Sequence, residues 1–416
     1  MFEDMNESIE NSVQGQPRRP RVKIALQTTV AGSLHTFFRG QLTWLKNHDF
    51  EVHTVSAPGE ELKWVAEAEQ VSMHAVPMTR SFSPFRDPLA LWRLVRLYHK
   101  SRFTVVHSFT PKGGLLGMLA AVAAGCPVRL FTLWGMAPTA INTRTRLRVW
   151  ANKVSCALAH KVFIECPSTA ELAVASRLCP REKVCVVPAW STCSLNGKMT
   201  DLSDLPQTRA AARTDWNLPS QAVVIGFVGR VVRDKGVHEL IEAFEKLASE
   251  FPNLHLLIVG VREVEDPVGE NILRRIDHHE RIRCTGFQKD VRRLLSAMDI
   301  LVHPSYREGL PTAPLEAAAR GLPVVATRIP GCVDAVQDGR SGLLVPPQDS
   351  EALAEAIRYY LKNPDVRQQH GRNGREWILQ KYDRQAAWTA LLNEYQKLLA
   401  ERGIFPLPAR DGEAQR

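Results

Sequence analysis

From Val22 onward, short apolar runs alternate with segments whose apolar residues repeat at helical spacing. VKIALQTTV (Val22–Val30) is followed by a turn at Ala31-Gly32-Ser33 and a predicted helix over Leu34–Asn47. FEVHTVSA, MHAVPM, TVVHSF, PVRLFTLW, KVFIEC and VCVVPA continue the strand series, with helices predicted over Pro88–Ser101, Gly113–Ala124, Thr143–Ala159 and Ser168–Arg177. A polar stretch beyond Ser191 and a short helix (Thr208–Thr214) lead to a fresh start at AVVIGFVG (Ala222–Gly229). HLLIVG, IRCTG, DILVHPS, PVVAT and SGLLVPP then repeat the pattern, with helices at Val237–Ser249, Val291–Ala297, Thr312–Arg320 and Ser350–Lys362. A last helix near Ala386–Leu399 carries Trp388, Leu391, Leu392, Tyr395 and Leu398 on one face, which must pack on something. Strand–helix alternation of this kind predicts an α/β protein of two doubly wound halves facing a cleft. The expected division is a first domain at 22–200, a linker at 201–221, a second domain at 222–377 and a closing helix at 378–402, between disordered tails at 1–21 and 403–416.

Length agrees with this plan, since 416 residues suit two domains of about 150–200 residues each. The chain is 44% hydrophobic and 23% charged, a globular composition. A net charge of +9 suits an anionic partner such as a nucleotide, a polyphosphate-linked substrate or a phospholipid surface, although a mild basic surplus is common on soluble proteins. Nothing resembles a zinc knuckle or an aromatic-interleaved basic ribbon, so nucleic acid is not expected. The eight Cys form no C-x-x-C pair, and Cys179, Cys185 and Cys193 have no His at ligand spacing. They read as small buried apolar residues in a reducing compartment, with no metal site. The start is acidic and polar, unlike a signal peptide, and no apolar run is long enough to span a bilayer. A cytoplasmic protein is expected, with basic segments at Arg93–Arg102 and Arg144–Lys153 available to an anionic membrane surface or serving only as solvated helix faces.

Candidate chemistry clusters at strand outlets. Gly229-Arg230-Val-Val-Arg233-Asp-Lys235-Gly236 joins a strand to a helix, and its cations beside helix amides suit a diphosphate. Arg307-Glu308-Gly309-Leu310-Pro311-Thr312-Ala313-Pro314-Leu315-Glu316 follows DILVHPS. Glu308 and Glu316 would share one helix side if the whole interval were helical, which Pro311 makes only partly so. The Leu310–Ala313 amides could meet a phosphate. Glu316 is flanked by Leu315 and Ala317–Ala319, a setting that favours a buried or ligand-facing carboxylate. In the first half, Gly32 could admit a close approach by phosphate or sugar. His107 could contact an acceptor or be a core histidine, Lys112 beside Gly113-Gly114 is an anion candidate, and Trp134-Gly135-Met136 could form a substrate wall or simply core. Asp334 could cap the short helix after Gly331, while Gly339 and Gly342 mark a scaffold loop.

GRVVRDKG, EGLPTAPLE, PVVATRIPGCVDAV and DGRSGLLVPP together resemble the GT-B glycosyltransferases of family 4 over nearly all of residues 22–400. TVAGSLHTF and HSFTPKGGLLGMLAA are similar to the bacterial polysaccharide branch that extends sugars on a polyprenyl diphosphate. The resemblance implies retaining transfer from a nucleotide-sugar, usually UDP-linked, to a saccharide acceptor, with neither cofactor nor metal required. It implies that Arg230 and Lys235 grip the diphosphate, Glu308 lies near the donor sugar hydroxyls, and Glu316 accepts from the ribose. Leu310, Pro311 and Thr312 would hold the distal phosphate, Gly286-Phe287 would lie near the base, and Gly32 near donor phosphate or acceptor. The resemblance also implies that the closing helix at 378–402 crosses back to the first domain. Arg230, Lys235 and Glu308 are thus the expected catalytic group. The chain departs from the family where relatives often carry His-Gly, since it has Trp134-Gly135. A non-catalytic nucleotide-sugar-binding partner or a GT-B epimerase are the alternatives.

Overall fold

The computed structural model describes residues 22–135, 143–187, 195, 197–263 and 266–404. The tail at 1–21, nearly all of that at 403–416, Met136 and Cys193 lie outside these described residues. Seven parallel strands form the first sheet: β1 (Val22–Gln27), β2 (Phe50–Ser56), β3 (Ser72–Ala75), β4 (Val105–Phe109), β5 (Val128–Thr132), β6 (Lys161–Ile164) and β7 (Val184–Val186). Six form the second: β8 (Val223–Val228), β9 (Leu254–Val259), β10 (Ile282–Cys284), β11 (Ile300–His303), β12 (Val324–Thr327) and β13 (Gly342–Val345). Their orders are β3-β2-β1-β4-β5-β6-β7 and β10-β9-β8-β11-β12-β13. Each sheet reverses direction of winding beside its first strand, where Leu26 pairs with both Thr54 and His107, and Gly226 with both Leu257 and Leu301. Crevices at such switch points open beyond the carboxyl ends of the strands.

The central strands are largely buried because helices cover both faces. Leu254–Val259, for example, is buried at every position. The expected crossing helix is present at Arg384–Ala400, capped by Asp383 Oδ1, which accepts from the Ala386 amide at 2.7 Å. Its Leu391, Leu392, Tyr395 and Leu398 pack among Ile24, Leu26, Phe38 and Phe50 of the first domain. The preceding helix, Pro364–Lys381, stays on the second domain, where Ile378 joins the core around Leu315 and Val324.

One predicted helix is two. Leu34–Asn47 divides into Ala31–Phe37 and Gln41–Asn47, because Gly40 adopts φ 80° between them. The buried Glu69 carboxylate holds the break, accepting from the Gly40 amide at 2.6 Å, the Thr43 amide at 3.0 Å and Thr43 Oγ1 at 2.6 Å. A further helix, Glu60–Glu69, supplies that residue. Among the described residues, no helix is long and apolar enough to cross a membrane.

Candidate functional site

The carboxyl ends of β8 to β12 deliver five loops to one edge of the second sheet. Gly236 has φ 68°, and a Cβ there would stand 2.0 Å from the Pro304 carbonyl oxygen. Only glycine therefore lets the Lys235 turn rest directly on the loop that carries Glu308. The two loops are also joined by the Tyr306 amide, which donates to the Asp234 carbonyl at 2.9 Å, and by Arg307, paired with Asp234 at 2.7 Å.

This packing sets Lys235 Nζ 2.5 Å from Glu308 Oε1, with both side chains largely buried. His303 Nε2, at the end of β11, reaches the same oxygen at 2.8 Å. Burial works to raise the Glu308 pKa, but His303 and Lys235 outweigh it and hold the carboxyl well below the usual carboxylate range. Glu308 is an anion at any physiological pH. Arg230 lies beside this pair, its guanidinium on Glu263 at 2.8 Å and half exposed. Desolvation opposes its charge, but Glu263, Asp234 and Glu308 together raise its pKa.

The helix Thr312–Ala319 begins only at Thr312, with Pro311 as its N-cap. Glu308 thus precedes the helix, and the one-sided geometry applies to Glu316 alone. Glu316 is 7% exposed, as its apolar neighbours suggest. Leu310 and Pro311 are buried, and Thr312 partly so. Gly286 has φ 67°, and the Phe287 ring beside it is 74% exposed.

Across the cleft, Gly32 lies in the first turn of Ala31–Phe37, with open space where a Cβ would stand. His35 of this helix has its pKa lowered by burial first, then by Arg39 and by Lys289 of the second domain. Lys289, at the end of the Gly286–Lys289 loop, is thus near enough to His35 for its charge to be felt there. Gly135 faces Gly309 closely enough that a Cβ on Gly309 would stand 3.1 Å from the Gly135 amide nitrogen. Trp134 turns into the first domain, its ring 4.7 Å from Phe37 and 5.1 Å from Phe109.

Two first-domain candidates are placed elsewhere. His107 is fully buried, Nδ1 at 2.6 Å from the Tyr395 hydroxyl and Nε2 at 2.7 Å from Thr132 Oγ1. It joins the crossing helix to the sheet from inside the core. Lys112 is 2% exposed, ion-paired to Asp87 and donating to the Ser81 carbonyl at 2.7 Å. Its charge is met inside the domain by Asp87. Asp334 caps no helix of its own; it reaches the first domain instead.

Residues 208–377 match the family described as glycosyl transferases group 1, and residues 32–190 the glycosyl transferase 4-like domain. The chain is 30% identical over 380 residues to the capsular polysaccharide biosynthesis glycosyltransferase CapM of Staphylococcus aureus, covering 91% of this chain and 98% of CapM. The chain belongs to the family 4 glycosyltransferases. An Escherichia coli UDP-Gal:α-D-GlcNAc-diphosphoundecaprenol α-1,3-galactosyltransferase is 23% identical over 317 residues, spanning 75% of this chain and 80% of its own. Among solved structures, Anabaena HepE in complex with UDP superimposes with a TM-score of 0.74 at 18% identity, covering 90% of this chain and all of HepE, which shows the GT-B fold.

Two groups in the candidate site escaped sequence reasoning. His303 lies in DILVHPS, a segment read only as a strand, although a polar residue at a strand's carboxyl end was the available signal. Glu263 sits 33 positions from Arg230, and no spacing rule connects them.

Proposed function

We propose that this glycosyltransferase moves a hexose or N-acetylhexosamine from a UDP-sugar, with retention of configuration, to a saccharide carried on a polyprenyl diphosphate, in surface polysaccharide or glycan synthesis. The observation that carries the reading is the convergence of Arg230, Lys235 and Glu308 at the entrance to the helix Thr312–Ala319. In this reading Arg230 and Lys235 take the charge that grows on the departing diphosphate, the place where fixed electrostatics lower a barrier most. No divalent ion or other cofactor is needed for that task. Glu308 orients donor hydroxyls, Glu316 accepts from the ribose, and Phe287 offers an uncovered ring to the base. The departing phosphate oxygen receives the acceptor hydroxyl proton on the face where the new bond forms, so no separate base is assigned.

CapM, a capsular polysaccharide biosynthesis enzyme, and the E. coli enzyme, which acts on a diphosphoundecaprenol-linked sugar, support the polysaccharide setting and the lipid-diphosphate acceptor. A lipid acceptor also implies a place at a membrane. Trp92 and Trp150 are exposed at 56% and 53% on the helices Arg86–Ser101 and Thr143–Leu158, near exposed Arg96, Arg146 and Lys153. Aromatic and basic side chains together suit an anionic interface, which favours the cytoplasmic face of the membrane.

The test is incubation with a panel of UDP-sugars and short-chain polyprenyl-diphosphate saccharides, read by mass spectrometry. An acceptor mass gain of one sugar, with the anomeric configuration of the donor kept, is expected. UDP binding without any gain would turn the reading toward a non-catalytic partner.

A further inference from the structure

The two domains of the glycosyltransferase are bonded to one another at one edge of the cleft, directly behind Glu308. The first-domain helix Pro167–Ala175 follows β6, and its N-cap, Cys166, contributes no side-chain cap of its own. The cap comes from the other domain. Asp334 Oδ2 accepts from the Ser168 amide at 3.0 Å and from the Ser168 hydroxyl. The same hydroxyl accepts from the Gly331 amide at 2.7 Å. Ser168 Oγ is thus donor to one second-domain group and acceptor to another. Cys166 Sγ points at the Gly309 carbonyl, 3.8 Å away.

Gly331 transmits this contact to the donor loop. It has φ 85°, and a Cβ on it would stand 1.6 Å from the Gly309 carbonyl oxygen and 3.5 Å from Glu308 Cβ. The backbone that Ser168 holds is therefore pressed against the backbone that aims Glu308. Asp334 is fixed from a third side by the Tyr382 hydroxyl, which donates to its carbonyl at 2.6 Å. Tyr382 immediately precedes the helix that crosses to the first domain. Any movement that widens the cleft at this edge must break the Ser168 bonds and strip partners from the Gly331 amide and the Asp334 carboxylate.

We propose that Ser168 and Asp334 are positioning residues: an interdomain latch that couples closure of the cleft to the placement of Glu308. This deepens the transfer reading above, because it names what sets the geometry of that site. Neither residue touches substrate. Their effect falls on turnover, which needs the two walls in register, and spares nucleotide affinity, which the second domain supplies. The hydroxyl and carboxylate act as one unit, so their losses do not add.

The test compares S168A, D334A, the double variant and S168T by steady-state transfer, by UDP calorimetry and by small-angle scattering with and without UDP. Each single variant is expected to lose tenfold or more in kcat while the UDP Kd stays within twofold. The double variant should be no slower than the slower single, and S168T, which keeps the hydroxyl, should recover most of the rate. Scattering should show UDP-dependent compaction in the wild type that S168A weakens. Wild-type turnover in S168A and D334A, or a loss of UDP affinity parallel to the loss of rate, would overturn the latch. If the panel yields no sugar transfer at all, the scattering arm still decides it: compaction unchanged in S168A overturns the latch, and compaction lost upholds it while the acceptor assignment fails.

Discussion

Lys235→Ala is the perturbation with the clearest double consequence. Lys235 Nζ sits 2.5 Å from Glu308 Oε1, and the side chains are only 16% and 12% exposed. Removing one partner of a buried pair costs about 3–5 kcal/mol, chiefly because the other charge is stranded. Here His303 Nε2 remains 2.8 Å from the same oxygen and can share the anion's burden, which argues for the lower end, about 3 kcal/mol. In the intact protein this contribution is complete above the ordinary carboxyl value of 4.5 and erodes only as pH falls below it, since the folded-state pKa of Glu308 is depressed. The catalytic loss is separate: one fixed charge removed from a developing anion costs about 10²- to 10³-fold in kcat. Adding Glu308→Gln should separate the two. Lys235→Ala/Glu308→Gln should regain most of the stability in a urea titration, because nothing charged is left stranded, yet remain at least 100-fold slow in a UDP-release assay. A single Lys235→Ala variant within threefold of wild-type kcat, or a double variant that recovers rate together with stability, would refute the reasoning.

Two further outcomes follow from the relocated and unassigned groups. Lys112→Met should cost about 3 kcal/mol by stranding the Asp87 carboxylate, Lys112→Met/Asp87→Asn should restore most of it, and kcat per folded molecule should stay near wild type, checked by urea titration and transfer assay. His53 Nδ1 lies 3.0 Å from His74 Nε2, with Glu51 at 2.9 Å from the other His53 nitrogen and Lys23 beside Glu51. Burial is the first cause that lowers both imidazole pKa values, so the unfolded chain binds more protons below its value of 6.5. Stability should therefore fall as pH drops from 7 to 5, and His74→Gln should flatten that dependence in chemical unfolding.

Much of the fold was legible because its signals are local. Strand runs end at Gly or Pro, and the crossing helix displays Trp388, Leu391, Leu392, Tyr395 and Leu398 at helical spacing, all buried in the structure. Pro364–Lys381 was invisible for the opposite reason. It packs through glycines: a Cβ on Gly371 would stand 2.0 Å from the Gly321 carbonyl oxygen, so close approach replaces an apolar stripe. Arg230, Lys235 and Glu308, which the structure brings together, were legible by type and order. Lys112 looked functional beside Gly113-Gly114, and of the two readings of His107 the structure gives the core one; their partners, Asp87 and Tyr395, are 25 and 288 positions away. Asp334 misled in the same way, its helix being adjacent in sequence and its bond crossing to another domain.

The pairing of charges along the Gly229–Gly236 turn gives Arg230 and Lys235 different duties in the proposed transfer. Every cation of the Gly229–Gly236 turn is paired: Arg230 with Glu263, Arg233 with Asp266 and Lys235 with Glu308. A diphosphate entering here must therefore exchange places with carboxylates, and the cost of exchange differs from one pair to the next. Arg230 is 47% exposed and its Glu263 partner 27% exposed; solvent-screened pairs of this kind contribute about 0–1 kcal/mol, so the guanidinium can be recruited with little loss. Lys235 and Glu308 lie deeper and are held by the Gly236–Pro304 contact and by His303. Moving Lys235 would strand Glu308, so the ammonium stays where the fold has put it and meets the phosphate already oriented. In the proposed transfer, Arg230 would then be the group that captures the nucleotide, and Lys235 the one in place when the bond to the sugar breaks.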